Sequence, residues 1–134
     1  MLNEFLILIV DDFYVLVSIH NIEHVLNAVA IVEKEGTNSQ IGIVNFHGEI
    51  IPVYSARNLI SKTQNRTTIK IHEKFIILKN GNDWGCFVVD DIYKIQSIED
   101  VSNRTDNEIP FEPINFKQQI SWLINPRFFK RTSP

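Results

Sequence analysis

FLILIVDDFYVLVSIHNIEHV, Phe5 to Val25, lies without a gap over FIILKNGNDWGCFVVDDIYKI, Phe75 to Ile95. Phe5 falls on Phe75, Tyr14 on Trp84, Ile19 on Val89, Ile22 on Ile92 and Val25 on Ile95. The offset is about half of the 134-residue chain. Asp11-Asp12 falls on Gly81-Asn82, and each pair separates two apolar runs where a hairpin should turn. Each copy therefore reads strand, tight turn, strand, short bend, strand. Such self-similarity points to duplication of one small β unit.

The rest of the chain favours strands too. IGIVNF, EIIPVY and TIKI are short and rich in β-branched residues. SARNLISK has room for one or two helical turns, and NFKQQISWLI fits helix and strand alike. The expected fold class is mainly all-β. Gly48 after His47 predicts a tight turn. Pro52 inside an apolar run predicts an edge strand, or a bulge, at that point. An edge offers unpaired amides to a partner, whereas a proline there also blocks edge-to-edge aggregation. Asn45 stands where a buried amide would bond backbone groups beside the turn.

Composition excludes several classes. The net charge of -3 gives no basic surface for nucleic acid or an anionic membrane. The basic end, NPRFFKRTSP, reads as a solvated terminus. The single cysteine, Cys86, has no partner for an intramolecular disulfide. It sits in an apolar run with nothing nearby to hold a thiolate, so a buried, inert thiol is expected. The apolar run near the N-terminus is too short to span a bilayer and lacks a positive leader. A cytoplasmic location is the expectation, which leaves the two NRT sequons without meaning.

HNIEH, His20 to His24, matches H-x-x-E-H, a zinc-peptidase pattern with two His ligands and a Glu base. That chemistry needs both His on one continuous helix and a further acidic ligand downstream. Here the segment follows a strand directly, and its copy, DDIYK, carries no ligand pattern. The acid pairs in VDDF and VVDD read as turn formers at strand ends. His72 reads as an exposed strand residue. No metal, cofactor or catalytic residue is expected.

The segment IGIVNFHGEIIPVYSARNLI, Ile41 to Ile60, resembles the G-V-x-N-L-R-G-x-x-x-P-V-x-D-L-R-x-x-L run of CheW-type chemotaxis coupling proteins. Gly42, Val44, Asn45, Gly48, Pro52, Val53, Arg57 and Leu59 fall in place. Upstream, VSIHNIEHVL resembles the family's I-x-x-V-x-E-I. Downstream, VVDDIYKI resembles its V-D-x-V-x-x-V, through Val89, Asp90, Ile92 and Ile95. The resemblance implies two small five-stranded SH3-like β-barrels, alike and packed around a shared core. It divides residues 1–134, a single CheW-like domain, into a first barrel over roughly 12–70 and a second over roughly 71–134, with strand 4–10 shared. It also implies a non-enzymatic adaptor that couples the cytoplasmic tips of methyl-accepting chemoreceptors to the regulatory domain of a CheA-type histidine kinase. On that reading the partner-binding residues are Ile22, His24, Gly42, Asn45, His47, Pro52 and Ile92, and a groove near Ile22, His24 and Ile92 takes the helical receptor tip.

The chain departs from the family at named places. The family's N-L-R-G Arg is His47, and the Glu of its V-x-E-I is His24. Two readings stand: an imidazole pair in place of opposite charges, which would respond to pH, or two surface positions that drifted independently, which is the favoured one. Ser55 stands where the family has Asp. Gly85 lies one residue further from Asp90 than the pattern has it, which suggests a bulge. Only FKQQISWLINPRFFKRTSP remains to close the second barrel, which allows for a shortened one. Trp122, Leu123, Ile124 and Phe128-Phe129 are its candidate strand residues. Two rival readings follow. One is a diverged paralogue in another signalling or motility pathway with one partner lost. The other is a small zinc-dependent hydrolase using HNIEH.

Overall fold

A computed structural model describes residues 2–27, 32–33, 40–61, 72–99, 111–116 and 119–124. The first three strands are β1 (Leu2–Val10), β2 (Phe13–Ser18) and β3 (Ile22–Asn27), with a 3-10 turn, Ile19–Asn21, before β3. Then come β4 (Val32–Glu33), β5 (Gln40–Phe46), β6 (Glu49–Ser55) and the helix α1 (Ala56–Ser61). The remainder comprises β7 (Lys74–Asn80), β8 (Asp83–Val89), β9 (Asp91–Glu99), β10 (Phe111–Phe116) and β11 (Gln119–Ile124). One sheet runs β10-β11-β2-β1-β9 and the other β3-β7-β8-β6-β5-β4.

The duplication read from Phe5–Val25 extends much further in the structure. Within hairpins, Leu6 faces Val17 as Ile76 faces Phe87. In the later hairpins, Ile43 faces Pro52 as Pro113 faces Trp122. In the parallel pairs, Leu123 lies beside Leu16 as Val53 lies beside Cys86. Each relation maps onto its counterpart at the same spacing. Counterparts of β5 and β6 are thus present as β10 and β11, and the first sheet has its full five strands. Trp122, Leu123 and Ile124 lie in β11, while Phe128 and Phe129 lie outside the described residues.

The third strand of each unit crosses to the other sheet. β3 pairs with β7, and β9 pairs with β1. Each sheet therefore contains strands from both halves of the chain, and a partition near residue 70 does not coincide with the sheets. Both crossings carry a register shift at the same place, between Ile22 and His24 in one and opposite Ile7/Leu8 in the other.

Strict alternation along the strands explains why they look uniformly apolar. On β1, Leu6, Leu8 and Val10 enter a core shared by both sheets, while Phe5 and Ile7 enter the interior of their own sheet. On β7, Ile76 and Leu78 enter the shared core, while Phe75 and Ile77 face the other sheet's interior. Successive side chains point to opposite faces, and here both faces are buried. Val15, Val17, Phe87, Val89 and Ile124 complete much of the shared core. Each such side chain stabilises the packed state by about 1.5–3 kcal/mol relative to exposure. This three-part core agrees with the expected pair of barrel-like sheets around a common centre.

Two local expectations need correction. β6 is not an edge strand; it lies between β8 and β5. Its pairing with β8 begins only at Val53. Pro52, which has no N–H to give, sits just before the strand acquires its second neighbour. Nor is there a bulge at Gly85. The β7–β8 register runs unbroken from Lys74↔Val89 to Asn80↔Asp83. The tight turn at Gly81 sets that register and carries it along the hairpin.

Candidate functional site

The crossing strands bring apolar residues to the seam between the sheets. Ile22 and Ile92 are half-buried against the shared core, each beside its register shift. Beyond them Val25 is 37% exposed and Ile95 58% exposed. Val25 lies opposite Ile76, and Ile95 opposite Leu6, both shared-core residues. Cross-strand partners share a face, so Val25 and Ile95 extend the core face to the sheet edges. Large apolar side chains left exposed in this way mark a candidate contact surface.

His24 belongs elsewhere. It lies opposite Ile77, whose side chain faces the interior of the β7 sheet. The extra residue at the register shift puts Ile22 and His24 on different faces. The structure thus brings Ile22 and Ile92 onto one core and turns the exposed His24 towards the β5–β6 hairpin. Its ring lies 5.3 Å from that of Phe46, and His47 packs edge-on against Phe46 at 4.2 Å. The two imidazoles share Phe46 as a neighbour. Trp84 lies 6.4 Å from the same ring, with Lys79 Nζ 4.8 Å above the indole.

The hairpin turns at His47 and Gly48, with φ of 52° and 87°. Two consecutive left-handed residues suit a tight turn whose twist matches the strands. Gly48 N–H donates to Asn45 Oδ1 at 3.1 Å. Asn45 therefore does bond the turn, but as an exposed residue rather than a buried one. Gly42 is buried opposite Val53, and Pro52 is buried opposite Ile43. Gly42, Asn45, His47 and Pro52 form a group on this hairpin, distinct from Ile22 and Ile92.

HNIEH resolves into two elements. His20 lies on the 3-10 turn, with its N–H 3.3 Å from Ser18 Oγ, and His24 lies on β3. No continuous helix carries both. Among the described residues no group of three or more His, Cys, Asp and Glu is arranged to hold a metal ion. His72 is exposed, but in a turn before β7 rather than in a strand.

The two acid pairs do more than turn the chain. Asp11 and Asp90 converge on Arg57 of α1. Arg57 Nη2 donates to Asp90 Oδ1 at 2.6 Å, and Nε lies 2.9 Å from Asp11 Oδ1 as an ion pair without hydrogen-bond alignment. Asp11 N–H donates to Asp90 Oδ2 at 2.6 Å, and Asp90 N–H to the Ile9 carbonyl at 2.9 Å. Ser55 holds the start of α1, accepting from Asn58 N–H at 3.2 Å. Burial works against the Arg57 charge, but Asp90, Asp11 and the buried Glu73 outweigh it and raise its pKa. Sequence reading missed this network, although Arg57 and Asp90 had both aligned with the family pattern. Cys86 is buried as expected, and burial alone pushes its thiol pKa well up.

Comparison with known proteins bears on this arrangement. The CheW-like domain family matches residues 4–113. A search of curated proteins finds no match. Among solved structures, the chain is similar to the scaffolding protein TtCheW from Thermoanaerobacter tengcongensis. The TM-score is 0.75 at 17% identity, over 98% of this chain and 90% of that one. At that identity the likeness bears on the fold. Among the described residues no helix is long and apolar enough to cross a membrane.

Proposed function

The chain belongs to the CheW-like domain family, and from that premise we propose that it is a non-enzymatic chemotaxis adaptor, coupling chemoreceptors to a CheA-type histidine kinase. The family match over residues 4–113 carries the reading. The work is binding alone, in the cytoplasm, with no cofactor or metal. The regulatory domain of the kinase docks on one barrel-like sheet. The helical tip of a receptor lies along the seam, against Ile22, Ile92 and the exposed Val25 and Ile95. Apolar contacts supply most of the affinity, and flanking charges set register and rate.

The hairpin group of Gly42, Asn45, His47 and Pro52, with His24 beside it, forms a second contact region. Here the imidazoles of His24 and His47 stand at positions where the family places opposite charges. That observation favours a second reading, a paralogue that keeps one partner and has lost the other. Co-purification from native lysate separates the two. The adaptor recovers both a histidine kinase and a receptor, and the paralogue only one. Recovery of neither refutes both readings.

A further inference from the structure

The two crossings between the sheets are counterparts in the duplication, yet they are not held alike. At one, where β8 passes into β9, Asp90 N–H bonds the Ile9 carbonyl at 2.9 Å. There Arg57 ties both Asp90 and Asp11 to α1, at 2.6 and 2.9 Å. At the other, where β2 passes into β3, the counterpart of Ile9 is Lys79 and that of Asp90 is His20. Among the described residues, the Lys79 carbonyl is reached across the crossing by the Asn21 side-chain amide alone, at 3.4 Å. The His20 N–H turns back to its own strand end, at Ser18 Oγ. The counterpart of Asp11 is Gly81, which has no carboxylate. One crossing thus has a backbone bond and charge-assisted bonds, the stronger kind. Among the described residues, its counterpart has one long neutral bond from a side chain.

We infer that the seam between the sheets is latched at the Arg57 crossing and yields at the Ser18–Ile22 crossing. Local opening follows the weakest set of bonds rather than the global stability. The 3-10 turn, Ile19–Asn21, is therefore where the sheets part first. Ile22 sits beside it, so opening there uncovers shared-core surface. The inference depends on the bonding at the two crossings and not on which partner the chain serves.

Native-state amide exchange on the full chain tests it, with rates corrected for intrinsic exchange. In the wild type the Asp90 amide is at least tenfold more protected than the His20 amide. In Arg57→Gln its protection falls at least tenfold, while Ile7 and Ile77 in the core strands keep theirs. Should that variant fail to fold, Arg57→Lys serves instead: it keeps the charge but not the planar fork that reaches both acids, so Asp90 loses protection relative to Ile7. Equal protection at Asp90 and His20 overturns the inference. So does a uniform fall at Asp90, Ile7 and Ile77 in Arg57→Gln, or in its place unchanged protection at Asp90 in Arg57→Lys.

Discussion

Removing Arg57 separates two ion pairs that look alike on paper. Its partner Asp90 has a side chain 18% exposed, and their hydrogen bond is 2.6 Å long. Its partner Asp11 has a side chain 41% exposed, and that contact is not aligned as a hydrogen bond. A charged hydrogen bond in partial burial contributes about 1.5–3 kcal/mol. An exposed ion pair contributes about 0–1 kcal/mol, because water and salt screen it. Arg57→Ala should therefore cost about 1.5–4 kcal/mol, most of it through Asp90. A double-mutant cycle apportions the loss without assuming additivity. The Arg57/Asp90 cycle should give a coupling of about 1.5–3 kcal/mol, and the Arg57/Asp11 cycle less than about 1. Urea denaturation of the wild type, single and double variants measures both. Equal couplings in the two cycles would refute the argument from burial and alignment. So would an Asp90 coupling below about 0.5 kcal/mol, the scatter expected of independent sites.

Three other expectations rest on separate features. Cys86 should resist alkylation in the native chain and react on unfolding. Burial raises its folded pKa, so above about pH 9 the unfolded chain releases a proton that the folded chain keeps, and stability falls by up to about 1.4 kcal/mol per pH unit. Comparing urea titrations of wild type and Cys86→Ala between pH 8 and 10 should show that the variant loses this component of the slope. Gly48→Ala should cost about 1–2 kcal/mol, since the left-handed φ of 87° is the whole penalty and a Cβ would meet nothing within 4 Å; thermal unfolding of the variant checks it, and an unchanged midpoint counts against it. Ile95→Asp should weaken binding of a receptor-tip peptide at least tenfold in calorimetry, while leaving the melting temperature within a few degrees because the side chain is already exposed; unchanged affinity would remove Ile95 from the contact surface.

The duplication was legible because its first three strands keep apolar residues at matching positions. Its continuation into β10 and β11 was not. Pro52 maps onto Trp122, and Ile51 onto Ser121, so chemistry diverged there while the pairing pattern stayed. Register is a backbone relation set by turns and burial, and quite different side chains can satisfy it. The turn positions show the same thing. Asp11 and Gly81 share a left-handed backbone, with φ of 53° and 63°. Glycine adopts that state freely, and aspartate tolerates it better than most residues. The two turns look unlike as letters and alike as conformations.

The site was harder to read because it depends on the crossing of strands. The family resemblance groups Ile22, His24 and Ile92, and two of the three pack against the shared core. One extra residue at the register shift sends His24 to the opposite face, where Phe46 joins it to His47. No periodicity announces such a shift. The Arg57 network was hidden for the same reason. Asp11 and Asp90 lie far apart in sequence, and only the exchange of β9 onto β1 puts the second acid pair beside the first. Because each sheet joins the first hairpin of one half to the later strands of the other, neither half can complete a sheet with its own strands alone. The seam is consequently the feature on which both the stability of the fold and the proposed binding surface depend.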